Sequence, residues 1–393
     1  MGFKKGSPTK NHSGDHSLTV KIQQEPVLFL TDKVFVDAAI AGGVQLCTHE
    51  FINYLEASGH IVKIIKVSPN ITFMRKVRKK LQIETYELYD IDQWLDEIVE
   101  TITGNQIKLV FFNQVNLAHW SPSIKAKVAA DVKFVGLSHG NESGDYLHDI
   151  TQGSRTSFLK TWRLGKYLVK EKAIFSTYLD GVITISDNET YIDQWLGAQN
   201  AFYLPRILKN NFIDWAPVAN RIGFAGTLSH LPNYVGIDLL SAELQKRNFN
   251  GTLRLVGGPE SAGKLLQQKY PFITYVGAIS SSDLVKEACS WCILLNPVFW
   301  YARGSSTKLA QALSWGIPVV STLAGTRGYD LANRAISIKN NDPGDLAEMI
   351  INTLASKTTL EGLKQQAINN VIKFDLDAWS AKLSDFLAEL KQH

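Results

Sequence analysis

A loop of glycine and hydroxyl residues at the start of a helix has the clearest chemistry in this sequence. Its members are Gly304, Ser305, Ser306 and Thr307. The first amides of a helix have no partners inside the helix, and the helix dipole adds partial positive charge, so the loop is a predicted anion site. Lys308, in the first turn, adds a point charge toward a phosphate. The alternative is an ordinary helix cap followed by a solvated lysine.

His139 ends a predicted strand, which is where ligand-binding residues lie in parallel sheets. Gly140–Gly144 follows it directly. His139 is therefore a candidate for a reacting centre, and the alternative is a structural histidine that caps the loop. Glu142 and Asp145 come next, and we expect both carboxylates to be solvated, with acceptor binding as the alternative. His119 is a weaker candidate of the same kind.

A glycine pair and a cysteine pair complete the candidate groups. Gly42 and Gly43 would let a loop of the first half approach a diphosphate without side-chain clash, and the alternative is a simple turn. Cys289 and Cys292 form a lone C-x-x-C with no second pair, so we expect core residues. No cluster has the spacing of metal ligands, and we expect neither a metal nor a cofactor.

Composition excludes several classes of protein. The chain has 393 residues, 45% hydrophobic and 20% charged, which is typical of two or three packed domains. A net charge of +4 is too small to indicate a nucleic-acid partner. The three cysteines favour a reducing cytoplasm. We find no secretory signal and no apolar run of roughly 18 residues that would predict a membrane span.

Short β-branched runs alternate with amphipathic helices in both halves, which predicts parallel sheets covered by helices on both faces. The predicted strands of the first half are Pro26–Asp32, His60–Val67, Ile107–Asn113, Val132–Ser138 and Gly181–Ser186, with a helix at Val44–Ser58. Those of the second half are Arg221–Gly226, Thr252–Gly257, Ile273–Gly277, Cys292–Pro297 and Ile317–Thr322, with helices at Val235–Arg247, Ser282–Ser290 and Thr307–Trp315. The predicted fold class is α/β, with two Rossmann-like domains that face each other across a cleft.

The predicted boundaries follow from the same pattern. Residues 1–24 are a predicted disordered tail, 25–205 the first Rossmann-like domain and 206–372 the second. Pro205 and Pro217 mark the connector between them. Residues 373–393 contain a predicted helix, Asp377–Leu390, whose apolar residues recur at helical spacing and which we expect to pack back toward the first domain.

These motifs resemble the GT-B glycosyltransferases of the large retaining group 1 family, which includes sucrose synthase. Residues 310–322, Ala-Gln-Ala followed by Gly-Ile-Pro-Val-Val-Ser-Thr, are similar to the family's E-A helix and G-x-P-V-V turn. Further similar segments are Phe224–Asn233, Val256–Pro259, Tyr275–Ile279, Gly42–Gly43, Gly59–His60 and Ile183–Ser186. The resemblance extends over the chain from about Pro26.

The resemblance implies a nucleotide-diphosphate sugar as the donor and assigns residues to it. It makes residues 25–205 the acceptor-side domain and 206–372 the nucleotide-sugar-binding domain. The implied donor-binding residues are Gly42, Gly43, Gly226, Thr227, Gly277, Gly304, Ser305, Ser306, Thr307, Lys308 and Gln311. His139 and Arg303 are the predicted catalytic residues. A retaining reaction, which the resemblance alone implies, needs no strong protein base, because the leaving phosphate can take the acceptor's proton.

The sequence departs from the family pattern in two places. The family has two glutamates where this chain has Arg303 and Gln311. Gln311 keeps an acceptor for a ribose hydroxyl but loses the charge. The family's Arg/Lys clamp for the diphosphate is also missing after the first strand of the second domain, where Thr227, His230 and Asn233 stand instead. Its replacements would come from Lys308, Arg303, Arg206 and Arg327, among which the sequence does not decide.

We therefore predict a hexosyltransferase that moves a sugar from a nucleotide sugar to a glycan or lipid-linked saccharide in surface polysaccharide biosynthesis. One alternative is a pseudoenzyme or binding subunit that recognises a nucleotide or glycan without turnover. A second alternative is a sugar-nucleotide epimerase, which would need more ionisable groups around the sugar than the sequence shows.

Two basic segments favour a protein that docks on a membrane surface. Met74–Leu81 has five cationic residues in eight, and Lys160–Lys172 interleaves lysines with aromatic and aliphatic side chains. Both patterns suit an anionic lipid surface, and solvated helix faces are the alternative. We expect a cytoplasmic protein that contacts the inner face of the membrane, and no nucleic-acid partner.

Overall fold

The computed structural model describes residues 24–37, 42–70, 72, 73, 77, 89–151, 157–301, 303–329 and 337–392. Two predictions fall largely outside these residues. They are the N-terminal tail and the basic segment Met74–Leu81. Within the described part of the chain, no helix is both long enough and apolar enough to cross a bilayer.

The first domain is built on a parallel sheet of six strands in the order β2-β1-β3-β4-β5-β6. The strands are β1 (Glu25–Asp32), β2 (His60–Val67), β3 (Leu109–Asn113), β4 (Lys133–Leu137), β5 (Gly181–Thr184) and β6 (Ala201–Tyr203). The five predicted strands are confirmed with small shifts at their ends. β6, three residues long, was not predicted, because so short a run has no readable alternation.

Helices cover both faces of this sheet. They are α1 (Gly43–Ala57), α2 (Leu95–Gly104), α3 (Ser121–Lys125), α4 (Glu142–Thr151), α5 (Phe158–Ala173) and α6 (Asp187–Trp195). Successive side chains of β1 point to opposite faces, so Val27 and Phe29 pack in one core layer and Leu28 and Leu30 in the other. Burial of both layers explains why the strand is apolar throughout.

The second domain repeats the same architecture with the order β12-β11-β10-β7-β8-β9. Its strands are β7 (Arg221–Ala225), β8 (Thr252–Val256), β9 (Ile273–Gly277), β10 (Ile293–Asn296), β11 (Val319–Thr322) and β12 (Ser337–Lys339). Its helices are α7 (Leu231–Lys246), α8 (Glu260–Lys269), α9 (Ser281–Cys289), α10 (Thr307–Trp315), α11 (Pro343–Leu354) and α12 (Lys357–Ile372). Two Rossmann-like domains were therefore predicted correctly.

The two domains are joined by an irregular connector and by the last helix. Residues 204–218 have no helix or strand. Helix α13 (Leu376–Gln392) packs Leu383, Leu387 and Leu390 into the core of the first domain. The end of the chain therefore returns from the second domain to the first.

The carboxyl edges of the two sheets face each other at short range. A Cβ on Gly140, which follows β4, would lie 2.4 Å from the amide nitrogen of Gly304. A Cβ on Gly43, at the start of α1, would lie 3.1 Å from Cγ2 of Thr307 at the start of α10. Strand order changes direction between β1 and β3 and between β7 and β10, and ligand sites of such sheets form at these switch points.

Candidate active site

His139 is held from the ends of two neighbouring strands. The amide nitrogen of Asn113, at the end of β3, donates to the hydroxyls of Thr31 at 2.7 Å and Thr48 at 2.9 Å. Its amide oxygen is therefore left to accept from Nε2 of His139 at 2.6 Å. This arrangement assigns the ring proton to Nε2 and leaves Nδ1 as an acceptor. Nδ1 is buried and has no hydrogen-bond partner among the described residues.

Burial keeps the His139 ring neutral. Burial is the largest cause that lowers its pKa to about 3, and the charges of Arg206 and Arg303 lower it further. The ring accordingly stays uncharged through the physiological pH range. It can accept a hydrogen bond from a hydroxyl, but it does not supply a positive charge to a leaving group.

A small pocket beside His139 opens between the two domains. Its lining residues are Val44, Gln114, Val115, Asn116, His139, Gly140, Glu142 and Arg303. Most of them belong to the ends of the first domain's strands, and Arg303 comes from the second domain. The pocket therefore lies at the junction that the sequence predicts for the reacting centre.

The glycine and hydroxyl loop begins α10 as predicted. Ser306 is the N-cap, and its hydroxyl accepts from the amide of Leu309 at 3.3 Å. The amides of Thr307 and Lys308, in the first turn, have no acceptor among the described residues. Gly304 has φ +69°, a left-handed conformation that favours glycine, and this turn brings the loop against the backbone of His139.

Lys308 is half-buried rather than solvated. Its ammonium nitrogen donates to the amide oxygen of Asn233 at 3.0 Å and lies 5.5 Å from the centre of the Phe224 ring. Burial and, secondarily, the charge of Arg327 lower its pKa to about 7. No carboxylate of the described residues forms an ion pair with it. A buried cation in this state costs stability unless an anion joins it.

Arg327 and His230 extend the same electropositive cluster. Arg327 is half-buried, and its guanidinium donates to the carbonyl oxygens of Ala324 and Arg303. Its Nε is buried and has no partner among the described residues. Burial lowers the pKa of Arg327. The nearby charge of Glu189, which forms no ion pair with Arg327, acts in the opposite direction and raises the pKa. Burial also lowers the pKa of His230 to about 4, and the charges of Lys308 and Arg327 lower it further.

The other two candidate cations already have carboxylate partners. Arg206, 2% exposed, forms a two-pronged ion pair with Glu50. Arg303 forms an ion pair with Glu142, and its Nε lies 3.8 Å from Oδ2 of Asp145. Of the four replacements for the family's clamp, Lys308 and Arg327 are therefore the two that lack an ion-pair partner within the described chain.

The expectation that Glu142 and Asp145 are solvated was wrong for Asp145, whereas the Glu142 side chain stays 45% exposed. Both carboxylates contact Arg303 across the domain junction, and Asp145 also accepts from the Arg303 amide at 3.2 Å. Burial raises the pKa of Asp145 to about 6. The sequence gives no sign of this pairing, because the partners are about 160 residues apart.

The remaining predicted donor residues lie at different distances from the electropositive cluster of Lys308, Arg327 and His230. A Cβ on Gly226 would lie 3.3 Å from Cδ of Lys308, and the Thr227 carbonyl accepts from the Asn233 side chain at 2.8 Å. Gln311 is half-buried and stands one turn after Lys308 on the same side of α10. Gly277 ends β9, the edge strand, and has open space around its Cα.

Glu189 is a site residue that the sequence analysis missed. It is 1% exposed and accepts from the Gly304 amide at 2.6 Å, so it links α6 of the first domain to the loop before α10. Burial raises its pKa. In the sequence it reads as one more acidic residue in the first turn of a helix, which helices commonly have.

Comparison with known proteins agrees with this geometry. Residues 219–356 match the family model described as "Glycosyl transferases group 1". Sucrose-phosphate synthase from Thermosynechococcus elongatus superposes with a TM-score of 0.68 at 17% identity, over 93% of this chain and 99% of that one. Anabaena HepE, solved with UDP and glucose, gives 0.63 at 13% identity over 93% and 100%. No curated protein sequence matches significantly.

The class predicted from the sequence is thereby confirmed. The chain has the two-domain GT-B fold, and residues 219–356 of its second domain match the glycosyl transferases group 1 model. The enzyme class that the family and the fold support is a nucleotide-sugar-dependent glycosyltransferase. The site residues themselves stay predictions, argued from the contacts above.

Proposed function

We propose that the protein transfers a sugar from a nucleotide-diphosphate donor to a glycan or lipid-linked saccharide. One observation carries the proposal. Among the described residues, two half-buried cations near the start of α10 lack an ion-pair partner, Lys308 in its first turn and Arg327 beside the Arg303 carbonyl, and the first amides of α10 are free. A diphosphate would supply the missing negative charge, and binding would raise the pKa of Lys308 from about 7.

The chemistry follows from this placement. The bond between the sugar's anomeric carbon and the diphosphate breaks as the bond to the acceptor oxygen forms. Lys308, Arg327 and the α10 amides stabilise the charge that develops on the leaving diphosphate. In the retaining course that we propose, the acceptor's proton passes to the leaving phosphate. We propose that these two cations, rather than a metal, offset the charge on the leaving group.

His139 and its pocket suit the sugar side of the reaction. The neutral ring leaves Nδ1 as an unpaired buried acceptor, which costs free energy until a donor such as a sugar hydroxyl arrives. We propose Arg303, the other predicted catalytic residue, as part of the pocket wall, held by Glu142. The neighbour WaaB, a lipopolysaccharide outer core galactosyltransferase at 14% identity and a TM-score of 0.58, supports an acceptor in surface polysaccharide synthesis.

A panel of nucleotide sugars tests the proposal. UDP-, GDP-, ADP- and dTDP-sugars are added to the purified protein, and its melting temperature and donor turnover are measured with and without EDTA. A ligand that binds only the folded state raises the melting temperature, so one nucleotide should raise it by several degrees while its phosphate-free nucleoside does not. Binding without turnover would favour the binding subunit. No shift with any nucleotide would contradict the donor site.

We also propose that helix α5 places the protein on the inner face of the membrane. Phe158, Trp162 and Val169 recur at helical spacing, and Phe158 and Val169 are 81% and 71% exposed. The Lys166 ammonium lies 4.9 Å from the centre of the Trp162 ring, and Lys160 and Lys172 are exposed on the same helix. Exposed apolar and cationic side chains together fit an anionic lipid surface.

Co-sedimentation with vesicles tests this surface. The double variant Phe158→Ser, Trp162→Ser should bind vesicles rich in phosphatidylglycerol at least about tenfold more weakly than the unaltered protein, because it loses the apolar anchors. Leu265→Ser is the matched control, since Leu265 is 53% exposed on α8 of the second domain. Equal binding of all three proteins would place the membrane contact elsewhere.

A further inference from the structure

The segment that leads into α10 is held by acidic residues of the opposite domain. We call Tyr301 together with Arg303–Ser306 the donor loop. Oε1 of Glu189, on α6, accepts from the Gly304 amide at 2.6 Å and from the Tyr301 hydroxyl at 2.9 Å. The same oxygen accepts from the Asn141 amide at 3.1 Å, within the first domain. One carboxylate oxygen therefore joins two domains.

The surroundings of Glu189 indicate that its carboxylate holds the donor loop in place. The side chain is 1% exposed, and burying a carboxylate is costly unless donors converge on it. It lies in the first turn of α6, where the helix dipole favours negative charge. Tyr301, which it binds, packs on the ring of His148 with 5.3 Å between ring centres, so the loop is also fixed on its other side.

The position of Gly304 connects this anchor to the phosphate site. Gly304 stands two residues before the cap of α10 and four before Lys308. Its left-handed backbone sets the direction in which the chain enters the helix. A carboxylate that fixes the Gly304 amide therefore also fixes where the first amides of α10 and Lys308 are presented.

We propose that Glu189 is a positioning residue that couples donor binding to closure of the first domain on the second. It contacts the donor loop only when the domains are together, so the donor loop is fixed at the start of α10 only in that arrangement. The inference rests on the proposed function, because it takes the phosphate site at Lys308 as the donor site. It assigns Glu189 the role of holding the donor loop rather than of contacting the diphosphate.

The kinetics of Glu189 variants test the coupling. When a binding-competent state is only partly populated, the apparent dissociation constant rises by the inverse of that fraction, and saturating ligand restores the state. Glu189→Ala should therefore raise the donor KM at least about tenfold and change kcat less than about threefold. Glu189→Gln keeps an acceptor oxygen but loses the charge, so its donor KM should lie between those of the unaltered enzyme and Glu189→Ala.

Asp193→Asn is the matched control. Asp193 is a fully buried carboxylate on the same helix, one turn further on, but its hydrogen bond goes to the Asn141 side chain of the first domain. Its replacement changes a buried carboxyl group that makes no hydrogen bond to the donor loop. The donor KM of this variant should stay within about twofold of the unaltered enzyme.

A second measurement separates this inference from the proposed function and does not depend on turnover. Hydrogen exchange of the peptide that contains Gly304 should be at least about tenfold faster in Glu189→Ala than in Asp193→Asn, because the amide has lost its acceptor. If Glu189→Ala shows faster exchange but the unaltered protein binds no nucleotide, Glu189 keeps its role in holding the donor loop and the proposed donor site is refuted. An unchanged donor KM in an active Glu189→Ala protein, or exchange that matches the control, would overturn the inference.

Discussion

Replacing Lys308 by methionine should lower kcat/KM for the nucleotide sugar about 100-fold or more, since single preorganised groups at a developing anion contribute 10²–10³ in rate. The ammonium of Lys308 is one of two half-buried cations near the start of α10 that have no ion-pair partner within the described chain. Its loss leaves Arg327 and the helix amides to meet the diphosphate alone. Steady-state kinetics with the nucleotide sugar identified by the melting panel measure the effect.

The same variant should melt at a higher temperature than the unaltered protein when no ligand is present. Methionine has a similar length and is apolar, so it removes the cost of a buried cation beside the Phe224 ring. Opposite changes in stability and activity identify a residue that is retained for binding rather than for folding. Lys286→Met is the control, because the side chain of Lys286 is 77% exposed and pairs with Asp283. Activity of the Lys308 variant within threefold of this control would place the diphosphate elsewhere.

The fold was predictable because its signals are local. The strands are continuous apolar runs whose two faces are both buried, as Val27–Leu30 illustrates. Such runs are readable without knowledge of their partners. The rule that ligands bind at carboxyl ends of strands then placed His139 correctly beside the domain junction. The cap of α10 was predictable for the same reason, since Ser306 and the helix that follows are adjacent in sequence.

The pairing of charges was not predictable because it depends on contacts between distant parts of the chain. Four cations were equivalent candidates for the diphosphate. Arg206 is removed from that set by Glu50, 156 residues earlier, and Arg303 by Glu142. Neither partner differs in sequence from an ordinary surface glutamate. The structure therefore contributes what local patterns lack, namely which cations stay without a partner once both domains are in place.

Closure of the two domains determines the expected effect of a substitution at Gly140. Replacing Gly140 by alanine should lower kcat/KM about 100-fold or more, because displacement of reacting groups by about 1 Å has effects of this size. A Cβ at this position would lie 2.4 Å from the Gly304 amide nitrogen and 2.5 Å from Cβ of Arg303. The obstacle is mainly backbone on the opposite domain, so a side-chain rotation does not relieve it. The domains must separate.

The variant should nevertheless fold. The new methyl group meets the second domain rather than the core of its own, and the remaining cost is the left-handed backbone at φ +123°, roughly 1–2 kcal/mol for a residue with a Cβ. Gly362→Ala is the matched control, since Gly362 lies within α12 and has no atom within 4 Å of its Cβ position. Small-angle scattering with saturating nucleotide should give a larger radius of gyration for the Gly140 variant than for this control. Equal radii and equal activity would show that the contact between Gly140 and Gly304 is not needed for turnover, and the dependence of donor binding on Glu189 would then lose its structural basis.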